Sequence, residues 1–563
     1  MSPIDWGVLC ATLAAIVAFG LWKGRRQRRL EGYLLADREM QWYTVALSIM
    51  ATQASAITFL STPGQAYADG MRFVQFYLGL PVAMVILAIT AVPIYHRLKV
   101  YTAYEYLEGR FDVRTRTFTA FLFLFQRGVS TGITLYAPAI ILSVVLGWNI
   151  HITTAVVGIL VLIYTVTGGT KAVSWTQNYQ LAIALGGMAV ALVIAIKSLP
   201  AGVGFGDAVR VAGRMGRLNV IDFSFELKTP YNFWSGMIGG LLVALSYFGT
   251  DQSQVQRYLT GETIAQSRLG LLFNGLVKVP MQFFILFVGA MVFVFYQFVA
   301  PPLFFNPVER EKIAQSTHAA EYSRLEEVHR RTFDEKRTVA SQLVTAMDSG
   351  DENAVAASTE RLRALQTANA ATKKEAIAVL KKNDPKADST DTNYVFLTFV
   401  MDNLPVGLLG LVLAAILCAA MSATASGLNS LGSTTVIDVY KRLINPNATD
   451  QQYVRVSKLM TLGWGVFAIL FAEFANQLGS LIEAVNILGS LFYGTILGIF
   501  LIAFYAKSIG GRAVFWGAVI GEVATVLTWQ LTDIAWLWWN VVGVVVTTGA
   551  AFALQPLMAA EKR

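Results

Sequence analysis

At 563 residues the chain is 55% hydrophobic and 14% charged, with 34 Phe and 46 Gly, a membrane-protein composition that excludes an ordinary soluble domain. A net charge of +8 would suggest nucleic acid in a soluble chain. Here the basic residues lie in short loops between apolar runs and read as attraction to anionic headgroups. Cys10 and Cys418, both within apolar runs, give neither a disulfide framework nor a zinc site.

Apolar runs of spanning length recur near 5–22, 41–66, 71–95, 117–146, 152–170, 175–198, 232–250, 269–299, 406–433, 453–476, 478–505, 512–531 and 533–556, about thirteen in all. The first is followed by basic residues and lacks a cleavage site, so it is expected to stay in the mature protein. Lys23, Arg25, Arg26, Arg28 and Arg29 place the next loop inside, as do Arg97, Lys99, Arg110, Arg114 and Arg116 two spans later. The N-terminus is then outside, with Lys562 and Arg563 inside. Segment 308–391 is polar, poor in aromatics and external by this count. Leu325, Val328, Val339, Leu343 and Met347, then Val355, Leu362, Leu365, Ala376 and Val379 after a Ser349-Gly350-Asp351 turn, predict a helical hairpin that leans on the membrane domain or on a periplasmic partner. His318 and His329 within it are not spaced for shared metal ligation. A second external loop, 199–231, reads as an interfacial strap.

The most informative run is 42–71, an apolar helix carrying Thr52, Gln53, Ser55, Thr58, Ser61 and Thr62. Such groups are costly against lipid, so the run predicts an interrupted helix beside a wet cavity, and hence a transport pathway. FWSGMIGGLLVALSYFGTDQ, five spans later, is the matching interrupted span that two inverted five-helix repeats require. Its glycines, Gly236, Gly239, Gly240 and Gly249, fit close helix packing equally well. Arg127 and Lys278 each lie about 15 Å deep, near the midplane. Each needs an acid such as Glu522, backbone carbonyls or an anionic substrate. Ala419 and Ser422, at i and i+3, face one point. With freed carbonyls of Ala51 and Ala54 they make an oxygen cage for a monovalent cation such as sodium, with small-residue packing as the alternative.

EGYLLADREMQWYTVALSIMATQASA, TAYEYLEGRF, TGGTKAVSWTQNYQ, YFGTDQSQVQRYL, VKVPMQF, MSATASGLNSLGSTTVIDVYK and IEAVNILGSLFYG occur in the order found in the sodium:solute symporter family. The chain resembles that family over nearly every span apart from the 308–391 insert. The resemblance implies an all-α integral membrane protein with a LeuT-like 5+5 inverted repeat, one extra N-terminal helix and two extra C-terminal helices. Its divisions would be 1–40, the first helix and basic loop; 41–198, the first repeat; 199–231, the external loop; 232–505, the second repeat with its insert; and 506–563, the C-terminal helices.

The same resemblance implies a sodium site from the carbonyls of Ala51, Ala54 and Ala419 and the hydroxyl of Ser422. Ala423 stands where the family has a second hydroxyl, leaving Thr424 or Ser426 as substitutes. Gln177 replaces an aspartate that serves an additional sodium site in some relatives, so at most one coupled sodium is expected. For the solute, the resemblance implies Gln53, Ser55 and Thr58 on the broken helix, Phe73 and Gln75 at the mouth of the next span, and Tyr247 and Phe248 as the inner gate. Lys278 and Asn486 match sugar-contact positions, and Arg127 joins them as a cation within reach of the cavity. Ser55 and Thr58 match hydroxyls that hold a carboxylate in the sialic acid branch. The expected protein is a sodium-coupled symporter of a bacterial cytoplasmic membrane, importing a small polar or anionic solute, a carboxylate such as sialic acid or a sugar, with no organic cofactor. Proton-coupled or uncoupled transport on the same fold, and a transporter-like sensor, are the rival readings. No catalytic triad, metal cluster or phosphate loop favours an enzyme.

Overall fold

Long apolar runs cut by short charged loops become helices throughout the computed structural model, which describes residues 1–23, 29–385 and 387–560. Arg25, Arg26, Arg28, Lys562 and Arg563, used above for orientation, lie outside the described residues. Extended pairing among the described residues is a single isolated bridge, Met40 with Gly261.

The first helices are α1 (Pro3–Lys23), α2 (Trp42–Gln53), α3 (Ala56–Asp69), α4 (Leu80–Ile89) and α5 (Ala91–Leu98). Next come α6 (Val113–Leu146), α7 (Ile150–Lys197), α8 (Gly240–Gly249), α9 (Gln252–Tyr258) and α10 (Ile264–Phe298). The insert contributes α11 (Ala319–Ser349) and α12 (Glu352–Asn383), and the chain closes with α13 (Leu408–Thr434), α14 (Asp450–Ala472), α15 (Leu481–Tyr505), α16 (Gly511–Leu531) and α17 (Trp536–Ala560). Among the described residues, nine helical stretches are long and apolar enough to cross a membrane. The expected runs near 5–22, 152–170 and 232–250 contain shorter apolar helices, Pro3–Phe19, Ile150–Ile163 and Ser235–Gly249. The run near 41–66 is split between α2 and α3.

The two halves of α7 pack against different helices. Gly158 lies against Ile469 and Leu162 against Gly465, near the end of α14, whereas Gly187 lies against Val412 at the start of α13. Gly432 of α13 meets Thr461 of α14, so those two helices are antiparallel. The Asp5 carboxylate accepts the Gly407 and Gly410 N–H groups at 2.6 and 3.2 Å and caps α13.

The glycines of the 232–250 run serve close packing. A Cβ at Gly236 or Gly240 would collide with the carbonyl of Gln75 or Phe76, and one at Gly239 with that of Leu537. The glycine stretch is itself a π-helical turn, Ser235–Gly239, and the helix that follows ends at Gly249, where the Asp251 side chain caps α9 through the Ser253 N–H. A Cβ at Gly289 of α10 would collide with Pro63 of α3, so that glycine sets how closely those helices approach.

In the insert, α11 and α12 turn at Gly350, which adopts φ +72°. Val339, Leu343, Leu362 and Leu365 join the main core, while Tyr322, Leu325, Ala376 and Val379 form a second cluster with Leu303, Phe304 and Ile313. Val328, expected on the apolar stripe, is 43% exposed. Arg210 pairs with Asp348 at 2.5 Å and Arg214 with Glu352 at 3.2 Å, tying the 199–231 loop to the hairpin. His329 lies between the Asn369 side chain and the Pro301 carbonyl, and His318 sits 3.7 Å from Glu321.

After α12, Asp388 is buried and accepts the Tyr394 hydroxyl at 2.7 Å and the Thr390 N–H at 3.0 Å. Burial pushes its carboxyl from 3.8 up to about 6; the two hydrogen bonds oppose that, and nearby Glu309 and Asp391 add to it. The folded state thus holds this proton more tightly than the unfolded chain, so the contribution is complete at low pH and is lost as pH rises through about 6. Protection of the 384–391 backbone from hydrogen exchange is expected to fall between about pH 4.5 and 7, by up to about 3 kcal/mol, and Asp388→Asn should flatten that slope.

Candidate functional site

α2 ends at Gln53 and α3 begins at Ala56. The Ala54 N–H still reaches the Met50 carbonyl at 2.8 Å, and the Thr58 N–H bonds Ser55 at 2.9 Å. No backbone N–H among the described residues returns to the carbonyls of Ala51 or Ala54. Free carbonyls at membrane depth are tolerated only against protein polar groups, water or ions. Thr58 spans the break, its hydroxyl 3.4 Å from the Gln53 carbonyl.

The break opens onto a cavity between α2, α6, α8 and α15. Gln53 and Ser55 line it from the break, Arg127 from α6, Tyr247 and Phe248 from α8, and Asn486 and Tyr493 from α15. Four of the expected solute residues lie elsewhere. Thr58 is buried across the break, and Phe73 packs tilted against Phe76 and edge-on against Tyr77 and Tyr231. Gln75 is engaged with backbone, donating to the Tyr231 carbonyl and accepting the Asp222 N–H, both at 2.9 Å, so it fastens the external loop instead of facing the cavity. Lys278 is fully buried behind Tyr77, its ammonium 5.7 Å from that ring and without a hydrogen-bond partner among the described residues.

Polar contacts lie at two ends of the cavity wall. Toward the insert, Glu483 accepts Gln65 at 3.2 Å and the Tyr231 hydroxyl at 2.8 Å, and Ser61 meets Ser480 at 3.3 Å. Toward the far end, Arg127 forms an ion pair with fully buried Asp251, and the Tyr493 hydroxyl joins them, 3.0 Å from the arginine and 3.1 Å from the acid. Glu522, expected as one partner for the deep cations, is not the partner of Arg127. The Arg127 guanidinium lies 5.4 Å over the Tyr247 ring, and Tyr247 accepts Gln254 at 2.7 Å. Asp251, Tyr493, Ser130, Thr131 and Thr134 were not singled out from sequence. Their signal was present in the polar run of α6 that follows Arg127 and in the GTDQ and FYG motifs.

Beside the break, the Ser422 hydroxyl is buried with no partner among the described residues. That orphan oxygen, one helix away from two free carbonyls, fits a monovalent cation, with Ala419 one turn earlier on α13. Ala423 faces the cavity and contributes no oxygen from its side chain. Thr424, two residues on, projects from a different face of the helix from Ser422. Ser426 is engaged: it lies 3.4 Å from Thr52 and accepts Gln177 at 3.2 Å. The Gln177 amide also donates to Thr52 at 3.1 Å and accepts Ser48 at 2.7 Å. A neutral amide with both polar ends occupied thus joins α2, α7 and α13, where a carboxylate would present negative charge. Gly427 leaves room for Thr131 and brings α6 close to this part of α13.

The profile of the sodium:solute symporter family matches residues 33–322 and 374–521, omitting most of α11 and the first part of α12. Over 295 residues the chain is 34% identical to the sodium/iodide cotransporter of Homo sapiens, a match covering 52% of this chain and 45% of that protein, less than half its length. Over 575 residues it is 24% identical to the sodium/sialic acid symporter SiaT of Proteus mirabilis (strain HI4320), covering 100% of this chain and 96% of that protein. Among solved structures, a Na⁺-coupled sialic acid symporter in a substrate-bound outward-open state superposes with a TM-score of 0.76 at 21% identity, covering 99% of this chain and 98% of that one, which shows a shared fold. With the family motifs matched on both sides of the insert and the broken helix set against α13, the chain belongs to the sodium:solute symporter family, whose members are transporters rather than enzymes and use sodium as coupling ion.

Proposed function

We propose that this protein imports a small anionic or polar organic solute, driven by sodium, across a bacterial cytoplasmic membrane. Its N-terminus and insert would be outside and its C-terminus inside. The observation that carries the reading is the break at Ala54–Ser55: the carbonyls of Ala51 and Ala54 have no backbone partner and the buried Ser422 hydroxyl has none among the described residues, while the adjoining Thr52, Gln53 and Ser55 line the cavity. In this reading about thirteen helices form a LeuT-like 5+5 inverted repeat with the extra helices expected from sequence.

Sodium between α2 and α13 would hold the broken helix in the conformation that presents Gln53 and Ser55 to the solute. Loss of the ion would free one repeat to rock against the other. Arg127, whose Nε is left without a partner among the described residues beside its pair with Asp251, and the hydroxyls of Ser55 and Ser130 favour a carboxylate-bearing solute, consistent with the similarity to SiaT, and sugars are the nearest alternative. The engaged Gln177 amide and Ala423 favour one coupled sodium. The insert would offer an external surface to a periplasmic partner.

In proteoliposomes supplied with sialic acids, monocarboxylates, vitamins or sugars, uptake of one class is expected to require an inward sodium gradient that potassium cannot replace. Ser422→Ala should lower that uptake by about tenfold or more at fixed sodium, equivalent to roughly 1.4 kcal/mol. Unchanged sodium-dependent uptake in this variant would sink the cation assignment. Asp251→Asn should weaken the far-end seal, leaving Arg127 without its buried counter-charge. It is expected to lower the thermal midpoint, by about 3 kcal/mol in stability, and to raise solute leak without sodium.

A further inference from the structure

The C-terminal helices hold an ionisable group that the solute pathway does not use. Glu522 lies in the middle of α16, between α15 and α17, and both of its carboxylate oxygens are buried without a hydrogen-bond partner among the described residues. An acid at membrane depth is costly and marks a functional position by default. What surrounds it is unusual as well. The hydroxyls of Thr495 on α15 and Thr547 on α17 are fully buried, and neither bonds a carbonyl of its own helix. Other threonines of these helices return their hydroxyls to carbonyls of the preceding turn: Thr525 to Gly521 at 2.9 Å, Thr528 to Ala524 at 2.8 Å and Thr548 to Val544 at 2.7 Å. Thr495 and Thr547 forgo that bond.

Glycines bring the oxygens to one level. Thr547 lies against Gly498 of α15 and Gly521 of α16, and the Thr495 backbone lies against Gly543 of α17, one turn before Thr547. The Thr495 hydroxyl faces the Glu522 carboxylate. Charged and titratable groups on the surrounding helices are directed elsewhere. On α15, Glu483 is engaged with Gln65 and Tyr231, Tyr493 with Asp251, and Tyr505 is exposed. On α6, Arg116 pairs with Glu108 and Asp438, Arg127 with Asp251, and Arg114 is exposed. Arg512 at the start of α16 is exposed, and the described part of α17 has no acidic or basic residue.

We infer that Glu522, Thr495 and Thr547 form an intramembrane monovalent-cation site, separate from the break at Ala54–Ser55, whose occupant is a proton or sodium. Four buried oxygens with a single formal negative charge suit one monovalent cation, and a divalent ion would leave a net positive charge in hydrocarbon. The bound cation removes the cost of an isolated carboxylate and joins α15, which carries Asn486 and Tyr493 to the cavity, to the C-terminal pair.

The test is labelling of the full-length protein in lipid nanodiscs by dicyclohexylcarbodiimide, which modifies protonated carboxyls in apolar surroundings, with the adduct located by mass spectrometry. Labelling of Glu522 is expected to fall at least about tenfold from about pH 6 to pH 9 as the proton leaves. Replacing choline by sodium at fixed pH is expected to slow it about threefold or more if sodium competes, and Thr547→Val should weaken that protection. Dependence on pH alone supports the site with the proton as occupant, and dependence on both supports competing proton and sodium. Labelling of wild-type protein insensitive to both, or no labelling of Glu522 at any pH, overturns the inference. The wild-type readings do not depend on any variant folding.

Discussion

A helix that breaks inside hydrocarbon must give its freed carbonyls a partner, and the central part of this protein is arranged around that requirement. At Ala54–Ser55 the chain leaves the α2 helix and resumes as α3. Small residues of α13 and the glycine at Gly427 let neighbouring helices approach the gap closely. The Gln177 amide then joins three helices through Ser48, Thr52 and Ser426. A break left without these neighbours would cost several kcal/mol in unsatisfied polar groups.

The cavity beside the break is bounded by two different kinds of polar chemistry. Toward the insert, the contacts are hydrogen bonds around Glu483, Gln65 and Tyr231. At the far end they include a buried ion pair, Arg127 with Asp251, steadied by Tyr493 and the Tyr247 ring. An ion pair in low dielectric is costly to separate and sensitive to competing charge. The arrangement therefore relates the charge of whatever enters the cavity to the contact at its floor, since Arg127 lines the one and forms the other.

The external elements add a third constraint. The 199–231 loop is fastened beneath by Gln75 and above by the acids at the hairpin turn. Gln75, expected at the mouth of the pathway, has both ends of its amide engaged with the backbone of that loop.

What the sequence determined by itself was the solvent, the helical class, the family and the placement of polarity within apolar runs. Each rests on local composition or on motif order, which need no knowledge of neighbours. It was enough to place Gln53, Ser55, Arg127, Tyr247, Phe248 and Asn486 at one cavity. It was not enough for Gln75, Phe73, Thr58 and Lys278, for the partner of Arg127, or for Ser426. A polar side chain at a given depth is equally suited to a ligand, a backbone group or another side chain, and only the approach of a second helix decides among them. The glycines of the 232–250 run show the same division: one chain cannot distinguish a glycine that permits a bend from one that admits a neighbouring carbonyl. Tertiary packing set a neighbouring carbonyl against each of Gly236, Gly239 and Gly240, because the bilayer fixes that polar groups must be paired while only three-dimensional proximity fixes with what.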